Sequence, residues 1–309
     1  MSPLNTFETL LSLPSPLTPF KPDWDGACDV SLFVKRDDAI HPIMSGNKWR
    51  KLSHALKGAL PKTIVSFGGG FSNHLHALGF ICHHLGISFT AIIRGNYGAA
   101  PTPMIRDLMQ WGTHINYVDR LTYQKRNDSV YLHQLEQQLP GAMIIPEGGS
   151  QAQALQGIAD MVDEINVDFD VIVAPVASGA TLAGIVNALN EQKLAERSPT
   201  ALRLNRKAIG VGVLRGEGYL ESLVNQFLVS SQRPTNWYID HAYHFGGYAK
   251  APSELQTFCN DFNNTMTFKI EPVYSGKTFW AVKDMLAKGA FEKGSKVVIL
   301  HTGGLQGAR

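Results

Sequence analysis

The segment 178–182 combines small and hydroxylated residues where a predicted strand gives way to a predicted helix. Its residues are Ser178, Gly179, Ala180, Thr181 and Leu182. Small side chains let the backbone approach a ligand closely, and the start of a helix presents unpaired N–H groups and the positive end of its dipole. With two hydroxyls added, the segment indicates a phosphate site. A capped helix that binds no ligand is the alternative.

This segment lacks the features of two common nucleotide sites. The Gly-Lys-Ser or Gly-Lys-Thr ending that places a lysine and a magnesium ion in a Walker loop does not follow it. The Gly-x-Gly-x-x-Gly pattern with an acidic residue after the next strand is missing as well. The pattern therefore argues against a Walker-type loop and against a nicotinamide dinucleotide.

Lys48 is a second candidate for chemistry, in the basic quartet 48–51. Ser45 or Asn47 can cap a helix that runs to about residue 60, which places Lys48 in the first turn. A lysine there opposes the helix dipole, and it escapes part of that penalty when its amine forms an imine with an aldehyde. The dipole would also lower its pKa. A solvated basic face is the alternative.

Ser72, Asn73 and His74 would present a hydroxyl, an amide and an imidazole at the start of another helix. Serine and asparagine are also good helix caps, so structure alone could explain them. The histidines have no accompanying carboxylates at zinc-like spacing, and we expect no metal site. No Gly-x-Ser-x-Gly elbow is present, which argues against a Ser-His-Asp hydrolase.

Short β-branched runs that alternate with amphipathic helical stretches must position these residues. This alternation predicts an α/β fold with mainly parallel sheets and helices on both faces. The runs are 63–67, 89–93, 115–118, 143–145, 171–174, 209–213 and 297–300. Glycine clusters follow four of them, at 68–70, 148–149, 179–184 and 303–304. Since ligands gather beyond the carboxyl ends of parallel strands, the clusters indicate one shared ligand site.

The composition excludes several classes of partner. The 309 residues include 28 Lys and Arg against 26 Asp and Glu, a net charge of +2, so neither a nucleic acid nor an anionic membrane surface is expected. Charged residues are only 17% of the chain, which suggests a surface partly hidden in an oligomer. Three scattered cysteines and the absence of a signal-like start or a long apolar stretch favour a cytoplasmic protein.

Several motifs taken in chain order resemble the pyridoxal-phosphate enzymes of the 1-aminocyclopropane-1-carboxylate (ACC) deaminase and D-cysteine desulfhydrase family. The motifs are Lys-Arg-Asp-Asp at 35–38, Ser-Gly-Asn-Lys-Trp-Arg-Lys-Leu at 45–52, 66–74, 177–184, Glu-Pro-Val-Tyr-Ser-Gly-Lys at 271–277 and His-Thr-Gly-Gly at 301–304. The resemblance runs from about residue 17 to the C-terminus. It implies a tryptophan synthase β-subunit-like fold of two three-layer α/β domains. A small domain, 50–147, would be inserted into a large one, 1–49 plus 148–309, with pyridoxal 5'-phosphate between them. A homodimer is also implied.

The resemblance assigns roles residue by residue. Lys48 looks like the Schiff-base lysine and Asn73 like the partner of the pyridoxal 3-hydroxyl. Ser178, Gly179, Ala180, Thr181 and Leu182 resemble the phosphate loop. Ser72 resembles the serine that faces the substrate carboxylate, with Asn73 and His74 beside it as substrate contacts. Tyr274 and Tyr248 resemble the two tyrosines that close over a small amino-acid substrate.

Two positions bear on the reaction. The deaminases of this family have Tyr-Glu-Gly-Lys and His-Leu-Gly-Gly where this chain has Ser275 and Thr302. Neutral hydroxyls beside the pyridine nitrogen leave the cofactor a weaker electron sink than a carboxylate would. That suffices to remove an α-proton next to a good β-leaving group, so we favour a D-cysteine desulfhydrase-like lyase that releases pyruvate, ammonia and sulfide.

The alternatives are ACC deaminase, a related β-elimination with another leaving group, and a catalytically silent phosphate-ligand binder. Phe71 departs from the glutamine that often precedes the serine in this family, and we expect it to reshape the substrate pocket. Ala180 departs from the usual glycine or serine, a change that a backbone-lined site tolerates.

Overall fold

The computed structural model describes residues 3–44, 46–195, 206–229 and 234–305, apart from the side chains of 193–195. The helices are α1 (Pro3–Glu8), α2 (Asn47–Ser53), α3 (Asn73–Leu85), α4 (Pro103–Gln110), α5 (Arg120–Gln124), α6 (Ser129–Gln138), α7 (Ala152–Asp163), α8 (Ala180–Ala195), α9 (Tyr219–Asn225), α10 (Ser253–Thr265) and α11 (Ser275–Ala287). The strands are β1 (Leu17–Phe20), β2 (Ser31–Lys35), β3 (Thr63–Gly69), β4 (Ser88–Arg94), β5 (His114–Val118), β6 (Met143–Ile145), β7 (Val171–Val176), β8 (Lys207–Gly212), β9 (Trp237–Asp240) and β10 (Lys296–Leu300).

The larger sheet has six strands in the order β1-β2-β10-β7-β8-β9. Its pairs are parallel except at one edge, where β1 runs antiparallel to β2. Pro19 is tolerated there because an edge strand leaves one row of backbone groups unpaired. The mainly parallel α/β fold is thus confirmed.

Alternate residues of the larger sheet enter two different cores. Val171 and Val173 pack with the aromatic side chains of α10 and α11. Ile172 and Ala174, on the opposite face, pack with apolar residues of α7 and α8. Successive side chains of a strand point to opposite faces, so a strand that is apolar throughout needs cover on both sides. The result is one three-layer unit.

The smaller sheet has four parallel strands in the order β5-β4-β3-β6. Ile64 and Ala91 face α3 and α4, whereas Val65 and Ile92 face side chains of α5 and α6. It forms a second three-layer unit. All four strands fall within the range 50–147 that was predicted as an inserted domain.

The first helix packs with the elements around the smaller sheet. Leu4 and Phe7 share a core with Trp49 and Phe80, and the ring centroids of Phe7 and Trp49 are 5.7 Å apart. The N-terminal helix α1 therefore packs on the smaller unit. The domain limits 1–49, 50–147 and 148–309 stay a prediction.

The helix that carries Lys48 is shorter than its sequence suggested. It begins at Asn47 and ends at Ser53, and a 3-10 turn at His54–Leu56 follows. Asn47 is its first residue rather than its cap, because Gly46 takes that place in a left-handed conformation. Ser45, the other predicted cap, lies outside the described residues. Lys48 nonetheless lies in the first turn, as predicted.

Among the described helices, none combines the length and the apolar character that crossing a bilayer requires.

Candidate active site

Lys48 is linked by side-chain hydrogen bonds to the start of α8. Its Nζ donates to Asn47 Oδ1 at 2.8 Å, and Asn47 Nδ2 donates to Thr181 Oγ1 at 2.8 Å. Burial of the amine lowers the pKa of Lys48 to about 8, against an opposing attraction from Glu271. A substantial neutral fraction near neutral pH suits an amine that must attack an aldehyde.

The start of α2 lies directly against the His-Thr-Gly-Gly segment. Gly46 has a φ of 75°, and a Cβ there would lie 1.5 Å from the carbonyl oxygen of Thr302. Asn47 N donates to the same oxygen at 3.3 Å. Only glycine fits this approach. Gly46 therefore brings Lys48 beside Thr302.

Lys51 is a buried cation that faces neutral oxygens. The residue is 2% exposed. Its Nζ donates to Ser178 Oγ at 3.2 Å, Ser150 Oγ at 3.3 Å and the carbonyl oxygen of Gly148 at 3.3 Å. Burial first, and repulsion by Lys48 second, hold the pKa of Lys51 well below its usual range. A buried charge of this kind is costly until an anion joins it, so this point is prepared for an anion.

The segment 178–182 adds neutral donors at the same point. Ser150 Oγ donates to Ser178 Oγ at 2.7 Å. Gly179 has a φ of 80°, and a Cβ there would lie 2.6 Å from the backbone carbon of Leu223, so the turn needs glycine. The first backbone N–H groups of α8 follow it. One ammonium, hydroxyls and a helix start form a suitable site for a phosphate dianion.

Ser72 caps α3 as the sequence suggested. Its Oγ accepts a hydrogen bond from Leu75 N at 3.2 Å, which leaves the hydroxyl proton for a second bond. Asn73 is the first residue of the helix. A Cβ on Gly304 would lie 3.1 Å from Asn73 Nδ2, so Asn73 and the His-Thr-Gly-Gly segment share one wall.

His74 lies behind this wall as a neutral ring. Its Nε2 is 2.8 Å from Ser66 Oγ, whose proton goes to the carbonyl oxygen of Ile145 at 2.7 Å. His74 therefore donates from Nε2, and its buried Nδ1 has no hydrogen-bond partner. Burial and the neighbouring lysine charges lower its pKa to about 3. A Cβ on Gly149 would lie 3.5 Å from this nitrogen, so the ring supports the loop beside Lys51.

The two tyrosines meet through their hydroxyls. The Oη atoms of Tyr248 and Tyr274 are 2.9 Å apart. Tyr248 is 49% exposed, whereas burial raises the pKa of Tyr274 well above its usual range, so Tyr274 keeps its proton at neutral pH. The pair can donate hydrogen bonds to a polar group beneath it.

A carboxylate lies next to Ser275, which the sequence analysis had not expected. Glu271 is 2% exposed, and its Oε1 accepts a hydrogen bond from Ser275 Oγ at 3.2 Å. The backbone N–H groups of Val273, Tyr274 and Ser275 also donate to its two carboxylate oxygens at 2.6 to 2.9 Å. The expectation that this part of the site holds neutral hydroxyls alone is therefore wrong. Glu271 anchors the start of α11, and burial raises the pKa of its carboxyl group despite the opposing effect of these hydrogen bonds.

The predicted site residues thus converge at the carboxyl ends of strands from both sheets. Lys48 is linked through Asn47 to Thr181, and Lys51 bonds Ser178. Asn73 shares a wall with the His-Thr-Gly-Gly segment, and Tyr248 pairs with Tyr274. Within the described part of the chain, no group of three His, Cys, Asp or Glu side chains could hold a metal ion.

The family of the chain follows from comparison with known proteins. A model of the family described as pyridoxal-phosphate dependent enzymes matches residues 13–303. The chain belongs to this family. Its fold and its cofactor, pyridoxal phosphate, are those that the motifs led us to expect.

Relatives in this family carry the names of two activities. A Pyrococcus furiosus protein provisionally named an ACC deaminase is 29% identical, over 89% of this chain and 85% of that protein. D-cysteine desulfhydrase of Serratia proteamaculans is 25% identical, over 88% and 86%. The crystal structure of an ACC deaminase homologue superposes with a TM-score of 0.77 at 25% identity, over 97% of this chain and 92% of the other.

The residues present fit the cofactor of the family. Lys51, the segment 178–182 and Ser150 would hold its phosphate, Lys48 would hold its aldehyde carbon, and Asn73 would face its ring. When bound, pyridoxal phosphate supplies an aldehyde that condenses with an amine and a ring that withdraws electrons from the α-carbon of an amino acid. The observation that decides the fit is the buried amine of Lys51, whose hydrogen-bond partners among the described residues are neutral.

Four further residues of the site were not predicted from the sequence: Asn47, Lys51, Ser150 and Glu271. A solvated face was the alternative considered for the basic quartet, yet Arg50 is 3% and Lys51 2% exposed. One signal was available: Lys51 follows Lys48 by three residues, so on a helix the two amines share a face. No comparable spacing marks Glu271.

Proposed function

We propose that the protein is a pyridoxal-phosphate-dependent lyase that eliminates the β-substituent of a small D-amino acid, with D-cysteine as its model substrate. D-cysteine and water would give pyruvate, ammonia and hydrogen sulfide. The observation that carries this choice is the serine at position 275, where the deaminases of the family have glutamate. The relatives named D-cysteine desulfhydrase support it.

The side chains of the chain divide the work in this proposal. The start of α3 with Ser72 binds the substrate carboxylate. Lys48, neutral in part because its pKa is about 8, accepts the α-proton. The carbon–sulfur bond then breaks, the sulfur leaves with its electron pair, and the hydroxyl of Tyr274 donates a hydrogen bond to the departing thiolate, which takes its proton from water.

A different pair of residues favours ACC deaminase as the second candidate. The carboxylate of Glu271 lies 3.2 Å from the hydroxyl of Ser275. A carboxylate so close to this hydroxyl can strengthen the electron sink that ring opening of ACC demands. The product of that reaction would be 2-oxobutanoate and ammonia.

Incubation of the purified holoenzyme with single compounds separates the two candidates. D-cysteine, L-cysteine, 3-chloro-D-alanine and ACC are supplied in turn, and sulfide, pyruvate and 2-oxobutanoate are measured. Sulfide from D-cysteine supports the proposal. Formation of 2-oxobutanoate from ACC without sulfide from D-cysteine rejects it in favour of the deaminase.

A silent phosphate-ligand binder would turn over none of these compounds. The absorption spectrum before and after borohydride distinguishes it from an enzyme tested on the wrong substrate. The wild type should show the visible band of a lysine-linked cofactor that borohydride removes, and Lys48→Ala should lack it.

We further propose that the protein acts as a homodimer in the cytoplasm. The low charged fraction of 17% supports an oligomer, and the family resemblance supports two copies. Size-exclusion chromatography with light scattering should report about twice the mass of one chain, independent of cofactor.

A further inference from the structure

Lys277 is a fully buried lysine that three backbone carbonyls surround. Its exposure is 0%. Its Nζ donates at 2.9 Å to each of the carbonyl oxygens of Val213, His244 and Gly247. All three protons of the ammonium are thereby used. Among the described side chains, no carboxylate forms an ion pair with it.

These carbonyls connect two separate parts of the fold to α11. Val213 directly follows β8, whereas His244 and Gly247 belong to the segment 244–249, which we call the Tyr248 loop. A hydrogen bond to a charged donor is stronger than one between neutral groups, and a low-dielectric surrounding strengthens it further. The ammonium is therefore a strong clamp between the loop and the larger sheet.

The Tyr248 loop needs such a clamp because its backbone is strained. Phe245 has a φ of 50° and Ala249 a φ of 54°, and both are non-glycine residues in the left-handed region. Such conformations persist only where surrounding contacts enforce them. Among the described residues, the backbone hydrogen bonds of the loop are short-range ones: Gly247 N donates to the carbonyl oxygen of His244, and Lys250 N, just after the loop, donates to that of Gly247.

The loop presents Tyr248 to Tyr274, and α11 positions both tyrosines. Tyr274 immediately precedes this helix, and Lys277 lies in its first turn. The 2.9 Å contact between the two hydroxyls thus depends on one helix that holds one tyrosine directly and the other through carbonyls.

We propose that Lys277 is a positioning residue whose ammonium holds the Tyr248 loop in the conformation that brings Tyr248 to the active site. It does not touch the substrate. The effect on turnover rests on the proposed function, whereas the effect on the loop does not. Removal of the charge releases the loop, so substrate binding weakens while the bond between Lys48 and the cofactor persists.

Hydrogen exchange on the holoenzyme tests the loop directly. In wild type, the amides of Gly246 and Gly247, which donate to His244, should exchange slowly. In Lys277→Met, which keeps the length of the side chain without its charge, they should exchange about tenfold faster or more. Lys283→Met, an exposed lysine of the same helix, is the matched control and should leave them unchanged. Thermal melting and the visible spectrum show whether each variant is folded and loaded.

Chemical rescue separates a lost ammonium from general damage. Lys277→Ala should raise the KM about tenfold or more, with a smaller loss of kcat. Methylammonium added to this variant should lower the KM again and slow the exchange of the same loop amides. Tetramethylammonium, which has the charge but no N–H donor, should do neither.

Several results would overturn the inference. The first, which wild type alone can show, is that the loop amides are unprotected. The second is equal exchange in Lys277→Met and wild type. The third is the same response of Lys277→Ala to both ammonium ions. If wild type turns over none of the four compounds, the proposed function fails, yet the exchange data still decide the role of Lys277.

Discussion

The ammonium of Lys51 lies 3.2 Å from the hydroxyl of Ser178, at the junction of α2 and α8. Lys51 lies in α2, and Ser178 lies two residues before the start of α8. The other described partners of the amine, Gly148 and Ser150, are also neutral. Burial therefore disfavours the charged form of Lys51 until a phosphate binds and pairs with it.

Replacement of Lys51 should lower the affinity for the cofactor without lowering the stability of the apoprotein. Lys51→Met should weaken pyridoxal phosphate binding by about 2–3 kcal/mol, the scale of a lost charge-assisted contact. The apoprotein should melt at the same or a higher temperature, because the unpaired charge is gone. Titration by absorbance and melting of the apo form measure the two effects. Lys57→Met, at an exposed position nearby, is the control. Unchanged affinity for the cofactor would remove Lys51 from the phosphate site.

Covalent capture of the cofactor should follow the pKa of Lys48. Only the neutral amine attacks an aldehyde, and its fraction grows as pH rises toward a pKa of about 8. The capture rate of the apoprotein should therefore increase about tenfold per pH unit well below that value and level off above it. Stopped-flow absorbance records the rate, and Lys48→Ala gives the background. A rate that still climbs between pH 9 and about 10.4, the ordinary lysine value, would contradict the lowered pKa.

Glu271→Gln should distinguish a structural carboxylate from a chemical one. Glutamine keeps one acceptor for the N–H groups of 273–275 but brings a donor toward the others, which should cost about 1–3 kcal/mol of stability. A desulfhydrase should retain sulfide release within about tenfold. A loss above about a hundredfold, with cofactor still bound, would show that the negative charge takes part in the reaction. Denaturant unfolding and the sulfide assay report the two effects.

Arg50 anchors the helix that carries both lysines. Its guanidinium bonds Asp37 at 3.0 Å and Glu164 at 2.6 Å, and Lys35 bonds Glu164 at 2.5 Å. Removing one partner of a buried ion network leaves a charge uncompensated, so Arg50→Met should destabilise the protein by about 3–5 kcal/mol. Chemical denaturation measures the loss. A cost under about 1 kcal/mol, as for surface pairs, would contradict the burial of this network.

The same network should make the protein sensitive to acid. Burial alone would raise the pKa of Glu164, but the hydrogen bonds from Arg50 and Lys35 outweigh it and hold the pKa below its usual value. The folded state therefore binds a proton less readily than the unfolded one, and stability from this group is present above pH 4.5 and lost as pH falls below it. The fall in melting temperature below pH 4.5 should be shallower in Glu164→Gln. Parallel acid slopes would assign the effect to other groups.

The positions of most strands along the chain could be read from the sequence. Each of the seven predicted β-branched runs overlaps a strand, because β-branched and aromatic residues favour the extended backbone. Three strands were missed: β1 contains a proline, β2 ends in the buried lysine Lys35, and β9 is a short edge strand that contains Tyr238 and Asp240. Their pairing depends on neighbours that the local pattern does not contain.

The sequence by itself determined that a helix start with small and hydroxylated residues can bind a phosphate, and that Lys48 lies in the first turn of a helical segment. These are local properties, because spacing along one chain fixes which groups share a helix face or end. Only the tertiary structure decided that Lys51 is buried against neutral groups in the described part of the chain, that Glu271 lies beside Ser275, and that Lys277 reaches the carbonyls of the Tyr248 loop. A charged side chain is solvated or buried according to what the rest of the chain places over it, and those partners lie up to 127 residues away.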